Sequence, residues 1–454
     1  MTGVEFAWSA LGGDPALLSR VSTVVREGAL RARLPVRELA RACVGACALA
    51  GAELGARRAG LGQVPGVRVD DGAVATAFVS ERHLLVDGRA PIMFAPLSRF
   101  WRTADGWVRT HANYPHHRAR LLGTLGVPED VALVEAALAE RSALEVEEAV
   151  YAAGGLAVAL RTPAEWAAHE QAAAPAERPL VERGRLDEAH ARVLSPVDPA
   201  PLLPAAGLRV LDLTRVIAGP VATRTLALLG ADVLRVDPPQ LPELPDQHAD
   251  TGFGKRSTRL DLTADRAAFE ELLTAADVVV TGYRPGVLDR FGLSPEALAE
   301  RRPGVVVAQL SAWGAYGPWK GRRGFDSLVQ AATGIAVIEG WVDQPGALPA
   351  QALDHGTGYL LAAAVLRALT EQSYDGGSRF VRLALARTAA WLTDGMPADT
   401  AEGAAYDGPE PWLAERDSGI GRLRYARSPV ALAGGPVDWA RPPGPWGSDP
   451  ARWA

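Results

Sequence analysis

Residues 208–237 constrain the fold of this chain more than any other stretch. They read as an apolar strand, a turn at Gly219-Pro220, a helix and a second apolar strand. Gly230 follows the helix, where a left-handed backbone is least costly for glycine. This order predicts a βαβ unit whose two parallel strands border a ligand crevice at their carboxyl ends. The turn lacks the G-x-G-x-x-G pattern, so the nicotinamide fingerprint is absent.

Strands and helices continue to alternate after this unit. Short strand-like segments at 257–262, 278–280 and 305–310 are separated by helical patterns, and two long helices follow. This alternation predicts an α/β fold with a doubly wound parallel sheet. Before the sheet, residues 101–113 place the turn pair Asp105-Gly106 between β-prone flanks and predict a hairpin. The proline-rich residues 195–204 read as the linker between the two parts.

The composition narrows the class of protein. At 454 residues the chain has room for two or three domains. Its formal net charge of −6 supplies no general basic field for nucleic acid. We find no apolar run long enough for a membrane span and no signal-peptide pattern at the N-terminus. The sequence contains no cluster of cysteines and histidines that would predict a metal site. We therefore expect a cytoplasmic protein with no nucleic-acid partner, no membrane partner and no metal.

Three loops concentrate basic residues near the predicted sheet: 254–257 (GKRS), 282–292 (GYRPGVLDRFG) and 317–326 (GPWKGRRGFD). The only two lysines of the chain, Lys255 and Lys320, lie in these loops. Basic loops at the carboxyl edge of one sheet suit a polyphosphate ligand. The alternative is that they are ordinary solvated loops.

Asp354 immediately precedes a long apolar helix, with two glycines close behind it. Local sequence favours a helix N-cap, which contributes about 1 kcal/mol. The alternative is a nucleophile or base that a ligand can approach closely because of the glycines. For His116 and His117, at the start of another predicted helix, the simplest expectation is solvent exposure.

Five segments in this region together resemble the class III CoA-transferase family, which includes formyl-CoA transferase, carnitine CoA-transferase and α-methylacyl-CoA racemase. They are residues 211–237, 254–262, 282–292, 311–335 and 353–369. The resemblance implies a Rossmann-like CoA-binding domain, a second, smaller α/β domain and an interlocked homodimer.

The resemblance also implies roles for individual residues. In the family's transferases the aspartate that matches Asp354 forms acyl and CoA-thioester intermediates, which favours a nucleophile over a cap. An aspartate with a pKa near ~4 would be ionised at neutral pH for that role. The positions that match the family's CoA site are Val216, Ala218, Lys255, Tyr283, Arg290, Phe291 and Arg323.

The racemases of the family need a histidine at the position that Phe325 occupies here. His355, as the next residue after Asp354, should point elsewhere. We therefore expect an acyl-CoA:carboxylate CoA-transferase that works through an aspartyl-CoA thioester and anhydride. Its coenzyme A arrives as acyl-CoA, and its acceptor is a small carboxylic acid. The alternatives are an α-methylacyl-CoA racemase and an acyl-CoA-binding protein that has lost turnover.

The order of segments departs from the family. Segments resembling its small domain precede the sheet, and residues 40–69 echo residues 355–383. We interpret the chain as two fused, partly deleted copies. The predicted divisions are a partial N-terminal repeat (1–100), a small α/β domain (101–194), a linker (195–207), a Rossmann-like CoA-binding catalytic domain (208–392) and a wrapping tail (393–454). We expect a homodimer, with a pseudo-dimeric monomer as the alternative.

Overall fold

The computed structural model describes residues 1–454. Its helices are α1 Gly3–Ala10, α2 Val36–Ala59, α3 Asp71–Ala77, α4 Ser80–His83, α5 Pro115–Leu125, α6 Val131–Ala139, α7 Ala143–Ala152, α8 Pro163–Ala167, α9 Glu170–Ala176, α10 Ala218–Leu228, α11 Pro245–Thr251, α12 Arg266–Thr274, α13 Pro295–Arg301, α14 Asp326–Ala332, α15 Ile335–Ile338, α16 Ala352–Asp375 and α17 Leu385–Ala390. Short helices of other types lie at Pro15–Arg20, Asp289–Phe291, Trp391–Gly395 and Glu410–Trp412.

The strands are β1 Val21–Val24, β2 Arg26–Glu27, β3 Val67–Asp70, β4 Leu85–Val86, β5 Phe100–Arg102, β6 Trp107–Thr110, β7 Ala157–Ala159, β8 Glu182–Arg185, β9 Arg209–Leu213, β10 Asp232–Asp237, β11 Arg256–Arg259, β12 Val278–Thr281, β13 Val306–Ser311, β14 Arg379–Ala384, β15 Ala404–Ala405, β16 Leu413–Ser418 and β17 Gly421–Ala426.

A seven-stranded sheet forms the centre of the fold, in the order β11-β10-β9-β12-β13-β14-β8. Its first six strands are parallel, with Leu211 of β9 paired to Leu234 on one side and Val279 on the other. The chain runs outward from β9 in one direction and then from β12 in the other. This is the 3-2-1-4-5-6 order of a Rossmann-like doubly wound sheet, and it confirms the predicted fold class. The direction reverses between β9 and β12, and a crevice opens there.

The seventh strand, β8, was not predicted. It pairs antiparallel with β14 at the edge of the sheet, and its side chains alternate between half-buried and exposed. Its sequence is Glu-Arg-Gly-Arg, which has no apolar face to read. Charged side chains are typical of edge strands, where they discourage pairing with other chains.

A smaller α/β unit precedes the sheet. β5, β6 and β7 form an antiparallel three-stranded sheet, and α5, α6 and α7 complete the unit. The predicted hairpin is confirmed by the pairing of Trp101 with Val108 across the Asp105-Gly106 turn. Trp101, Val108 and Leu121 belong to a hydrophobic cluster that is separate from the core of the large sheet.

Two 24-residue helices, α2 and α16, pack together in the main core. A Cβ on Gly356 of α16 would lie 3.4 Å from Cys43 Sγ of α2, so the helices approach closely. Cys43 and Cys47 are free and buried. Each helix is followed by a strand and a short helix, in the order α2-β3-α3 and α16-β14-α17. The two segments share this order of elements, and the partial internal repeat stays a prediction.

Helix α2 corrects one expectation from the sequence. By length and composition Val36–Ala59 could cross a membrane, although we found no such run. In the structure 89% of its most apolar window is buried inside the protein. Small residues fill this helix, because they allow the close packing of a core helix on its neighbour.

The C-terminal segment lies along the large sheet and its helices. Three tryptophan side chains anchor it by donating hydrogen bonds: Trp439 to the carbonyl of Arg224, Trp446 to the carboxylate of Asp237, and Trp453 to the carbonyl of Leu272. The strands β16 and β17 form a hairpin that pairs with β4 near the N-terminus. The tail therefore connects the first hundred residues to the sheet.

Candidate active-site cleft

A cleft of about 930 Å³ lies along the carboxyl edge of the parallel strands. Every parallel strand contributes a residue from its end or from the loop that follows: Leu213, Val236, Leu260, Gly282, Ser311 and Leu385. The opposite wall comes from the start of α5, which belongs to the smaller unit. The cleft therefore joins the two parts of the chain at the place where doubly wound sheets bind ligands.

Seven of the eight site residues predicted from the sequence line this cleft: Val216, Ala218, Tyr283, Arg290, Phe291, Arg323 and Asp354. The structure thus brings together residues that are up to 138 positions apart in the chain, counted from Val216 to Asp354. The eighth, Lys255, does not line it.

Lys255 is 3% exposed and lies behind the turn that opens α10. Its Nζ donates to Asp212 Oδ2 at 2.9 Å and to the carbonyl oxygen of Pro220 at 3.0 Å. Burial lowers the pKa of Lys255 to about 8, and the Asp212 carboxylate opposes that shift. The lysine therefore stabilises the Gly219-Pro220 turn by a hydrogen bond from inside the protein. The basic loop at 254–257 is not part of the cleft surface.

The turn in front of Lys255 is tightly constrained. A Cβ on Gly219 would lie 2.4 Å from Thr214 Cβ, so only glycine fits at this position. Val216 has a φ of 72°, a left-handed conformation that is strained for a β-branched residue. Its backbone N–H donates to Glu243 Oε2 at 3.1 Å. A strained backbone conformation persists only where the surrounding contacts enforce it. The strained residue Val216 lines the cleft.

Asp354 is the third residue of α16, and Gln351 occupies the N-cap position. The N-cap interpretation of Asp354 is therefore wrong. The capping role belongs to Asp326, the first residue of α14, whose Oδ2 accepts the backbone N–H of Asp354 at 2.9 Å. Gln330 donates to the other oxygen of Asp326. The Asp354 carboxyl group is thus free of the cap and lines the cleft, although the residue is only 6% exposed.

The electrostatic surroundings of Asp354 also differ from the expected ones. Burial raises its pKa well above the usual value, and the nearby carboxylates of Asp326 and Glu81 raise it further. Burial also raises the pKa of Asp326, to about 6. An ordinary pKa near ~4 for Asp354 is therefore wrong, because two acidic groups share a water-poor site.

The positive charges of the cleft are unevenly paired. Arg215 lies 3.6 Å from Glu243, and Arg322 makes ion pairs with Glu147 and Glu148. Five other cations line the cleft without a carboxylate in ion-pair distance: Arg120, Arg284, Arg290, Lys320 and Arg323. They come from α5 and from the two basic loops after β12 and β13. An excess of unpaired cations around one concave surface attracts a polyanion.

Sequence reasoning missed the α5 wall. Tyr114, His116, His117 and Arg120 line the cleft. The expectation of solvated histidines is wrong for His117, which is 5% exposed and whose ring centroid lies 6.0 Å from that of Phe325. The available signal was local: three of the eight histidines of the chain fall within residues 111–117.

The positions of Phe325 and His355 describe the surroundings of Asp354 further. Phe325 lines the cleft, and the His111 ring stacks on it with centroids 3.8 Å apart. His355 points away from the cleft, as expected from its position next to Asp354. Its Nε2 lies 3.3 Å from Glu81 Oε2 in the core. Neither position supplies an imidazole facing Asp354 across the cleft.

We predict that Lys255→Ala destabilises the fold by about 3–5 kcal/mol, because it leaves the Asp212 carboxylate buried without a cation. Chemical denaturation measures the loss. Lys320→Ala, at an exposed and unpaired lysine, should change the free energy of unfolding by less than about 0.5 kcal/mol. Adding Asp212→Asn to Lys255→Ala should recover part of the loss. Equal stability of the two lysine variants would contradict a structural role for Lys255.

Comparison with known proteins places the cleft residues in a family context. Residues 205–429 match the model of CoA-transferase family III. Acetyl-coenzyme A transferase nodX of Hypoxylon pulicicidum is 37% identical over 202 residues, which are 42% of this chain and 34% of that protein. A probable fatty acyl-CoA transferase of Mycobacterium tuberculosis is 35% identical over 243 residues, 49% of this chain and 61% of that protein.

A formyl-CoA:oxalate CoA-transferase of Streptomyces coelicolor is 34% identical over 193 residues, which are 39% of this chain and 47% of that protein. The chain therefore spans less than two thirds of the length of each of these relatives. The matched residues contain all five resembling segments, the parallel sheet and the loops that build the cleft. Residues 205–429, just under half of the chain, are therefore similar to CoA-transferase family III.

Proposed function

We propose that the protein transfers CoA from an acyl-CoA to a small carboxylic acid, with Asp354 as the nucleophile. The observation that carries this proposal is the coincidence of five unpaired cations and one buried carboxyl group in a single cleft. Coenzyme A carries several phosphate charges on one part and a reactive thiol at its far end. A cleft with cations along its walls and Asp354 within it suits such a molecule.

The CoA nucleotide is proposed to lie along the crevice between β9 and β12. Tyr283 and Phe291 offer apolar ring surfaces there, and Arg290 lies over the Phe291 ring at 4.7 Å. Arg323 and Lys320 extend the positive surface from the loop after β13. Lys255 contributes indirectly, because it holds the Gly219-Pro220 turn from the interior. Val216 and Ala218 lie on the cleft side of that turn.

The proposed chemistry needs one ionised carboxyl group. The Asp354 carboxylate attacks the thioester carbonyl of acyl-CoA, the C–S bond breaks, and CoA thiolate leaves behind an acyl-aspartyl anhydride. The thiolate attacks the aspartyl carbonyl and forms an aspartyl-CoA thioester, while the first acid departs. An incoming carboxylate then repeats the sequence in reverse and leaves as the new acyl-CoA. Each step exchanges one carboxylate or thiolate for another, so no net proton transfer is required.

Racemisation of an α-methylacyl-CoA is the second candidate, because His117 lines the cleft near Phe325. That reaction removes and returns an α-proton and needs a base on each face of the substrate. Burial and the neighbouring charges of His116, His111, Arg323 and Arg120 lower the pKa of His117 to about 2. An imidazole with so low a pKa is a poor proton acceptor at neutral pH. The transferase is therefore the better supported of the two.

We predict that Asp354→Asn lowers the rate of CoA transfer between acetyl-CoA and a panel of short carboxylic acids by at least about 1,000-fold, because the amide cannot attack the thioester. The affinity for CoA, measured by calorimetry, should change by less than about threefold. A wild-type protein that binds CoA but transfers it to no acid would favour the binding-only alternative. Deuterium entering the α-carbon of a 2-methylacyl-CoA, without transfer, would favour the racemase.

We also predict a pH effect of Asp326. The nucleophile must be ionised, so the rate should fall as pH drops through the raised pKa of Asp354. Asp326→Asn removes the neighbouring negative charge but keeps an oxygen that can accept the Asp354 N–H. The acid limb of the rate profile should therefore move to lower pH by about one unit. Asp261→Asn, at an exposed carboxylate on the cleft rim, should leave it in place. An unshifted profile in Asp326→Asn would contradict the coupling.

A further inference from the structure

Helix α5 supplies a wall of the cleft to which no role has been assigned so far. His116, His117 and Arg120 face the cleft from one side of this helix. None of them belongs to the residues expected to bind CoA. His117 is almost fully buried, and its Nδ1 has no hydrogen-bond partner within the protein. A buried, unpartnered ring nitrogen beside a cleft is a polar group that a ligand can satisfy.

Arg120 lies near a second guanidinium, that of Arg323, and neither side chain has a carboxylate partner. Arg120 donates one hydrogen bond to the carbonyl oxygen of Gly154 at 2.8 Å. Burial, followed by the positive charges of Arg284 and Arg120, lowers the pKa of Arg323. Like charges held together in a partly enclosed cleft repel each other, and a bound anion removes that repulsion.

This wall lies at the end of the cleft that contains the reacting carboxyl group. The His117 ring is 6.0 Å from the Phe325 ring, between centroids. Phe325 directly precedes Asp326, which accepts the backbone N–H of Asp354 at 2.9 Å. Tyr283 and Phe291, in contrast, belong to the loop that follows β12 of the large sheet. The groups of α5 are therefore placed to contact the acid that reacts.

We propose that His116, His117 and Arg120 form the acceptor subsite and recognise a second, non-reacting anionic group on the acid. This inference rests on the CoA-transferase function proposed above. Burial, followed by the surrounding positive charges, lowers the pKa of His117, and a neutral imidazole can donate one hydrogen bond and accept another. Arg120 supplies the positive charge. An acid with a second carboxylate fits this wall, whereas an acid with an alkyl chain would leave the buried His117 imidazole without a partner and would give the Arg120 guanidinium no counter-charge.

The test compares two arginines of the same helix. Arg120→Gln removes the cleft cation. Arg118→Gln is the matched control, because Arg118 pairs with Glu129 at 3.0 Å and does not line the cleft. Calorimetry with succinate as the probe is run on each protein saturated with CoA, and a separate titration measures CoA alone. Arg120→Gln should weaken succinate binding by at least about tenfold, the value of one charged hydrogen bond.

The same variant should change the affinity for CoA by less than about twofold, and Arg118→Gln should change neither affinity. Arg120→Lys, which keeps the charge, should retain part of the succinate binding. Succinate should also bind the wild-type protein at least about tenfold more tightly than hexanoate.

Two results would overturn the subsite. One is a loss of CoA affinity in Arg120→Gln as large as the loss for succinate, which would assign Arg120 to the phosphates. The other is hexanoate binding as tight as succinate binding. A protein that binds succinate through Arg120 but transfers no CoA would keep the subsite and refute the proposed function.

Discussion

One hydrogen bond, from the backbone N–H of Asp354 to Asp326 Oδ2, connects the parts of the cleft. It satisfies a free N–H in the first turn of α16 without using the Asp354 side chain. Because Asp326 begins α14 directly after Phe325, the same bond fixes the loop that carries Arg323 and meets the α5 histidines. The capping group and the reactive group are therefore two different aspartates. Each can serve one purpose without compromising the other.

A second set of buried charges fixes the opposite side of the cleft. Asp212 pairs with Lys255 beneath the Gly219-Pro220 turn, and Glu243 accepts the N–H of Val216. Tyr114 Oη donates to the same Glu243 at 2.5 Å, which joins the smaller unit to the sheet loops. Buried ion pairs such as Asp212–Lys255 thus build the frame of the cleft, while most of the cations that line its surface are unpaired. This division explains why counting basic residues in the sequence identified the cleft but placed Lys255 wrongly within the cleft surface.

Much of the fold could be read from local patterns. The strands at 209–213, 232–237, 278–281 and 306–311 coincide with apolar runs of the sequence. The turn pair Asp105-Gly106 likewise marks the hairpin between β5 and β6. Strand β8 was missed because an edge strand of charged residues is specified by its partner and not by its own sequence. The burial of His117 and the raised pKa of Asp354 were missed for a related reason. Both depend on segments distant in the chain that meet only in the folded protein.

The central claim is that Asp354 becomes covalently linked during CoA transfer, and peptide mapping by mass spectrometry tests it most directly. The protein is incubated with acetyl-CoA, treated with hydroxylamine and digested. The account predicts a hydroxamate on the peptide containing Asp354 in the wild-type protein, formed only when acetyl-CoA is present, and none in Asp354→Asn. Turnover of acetyl-CoA with an acceptor acid in the absence of any modified aspartate would contradict it. A hydroxamate at another carboxylate, with Asp354 unmodified, would contradict it equally.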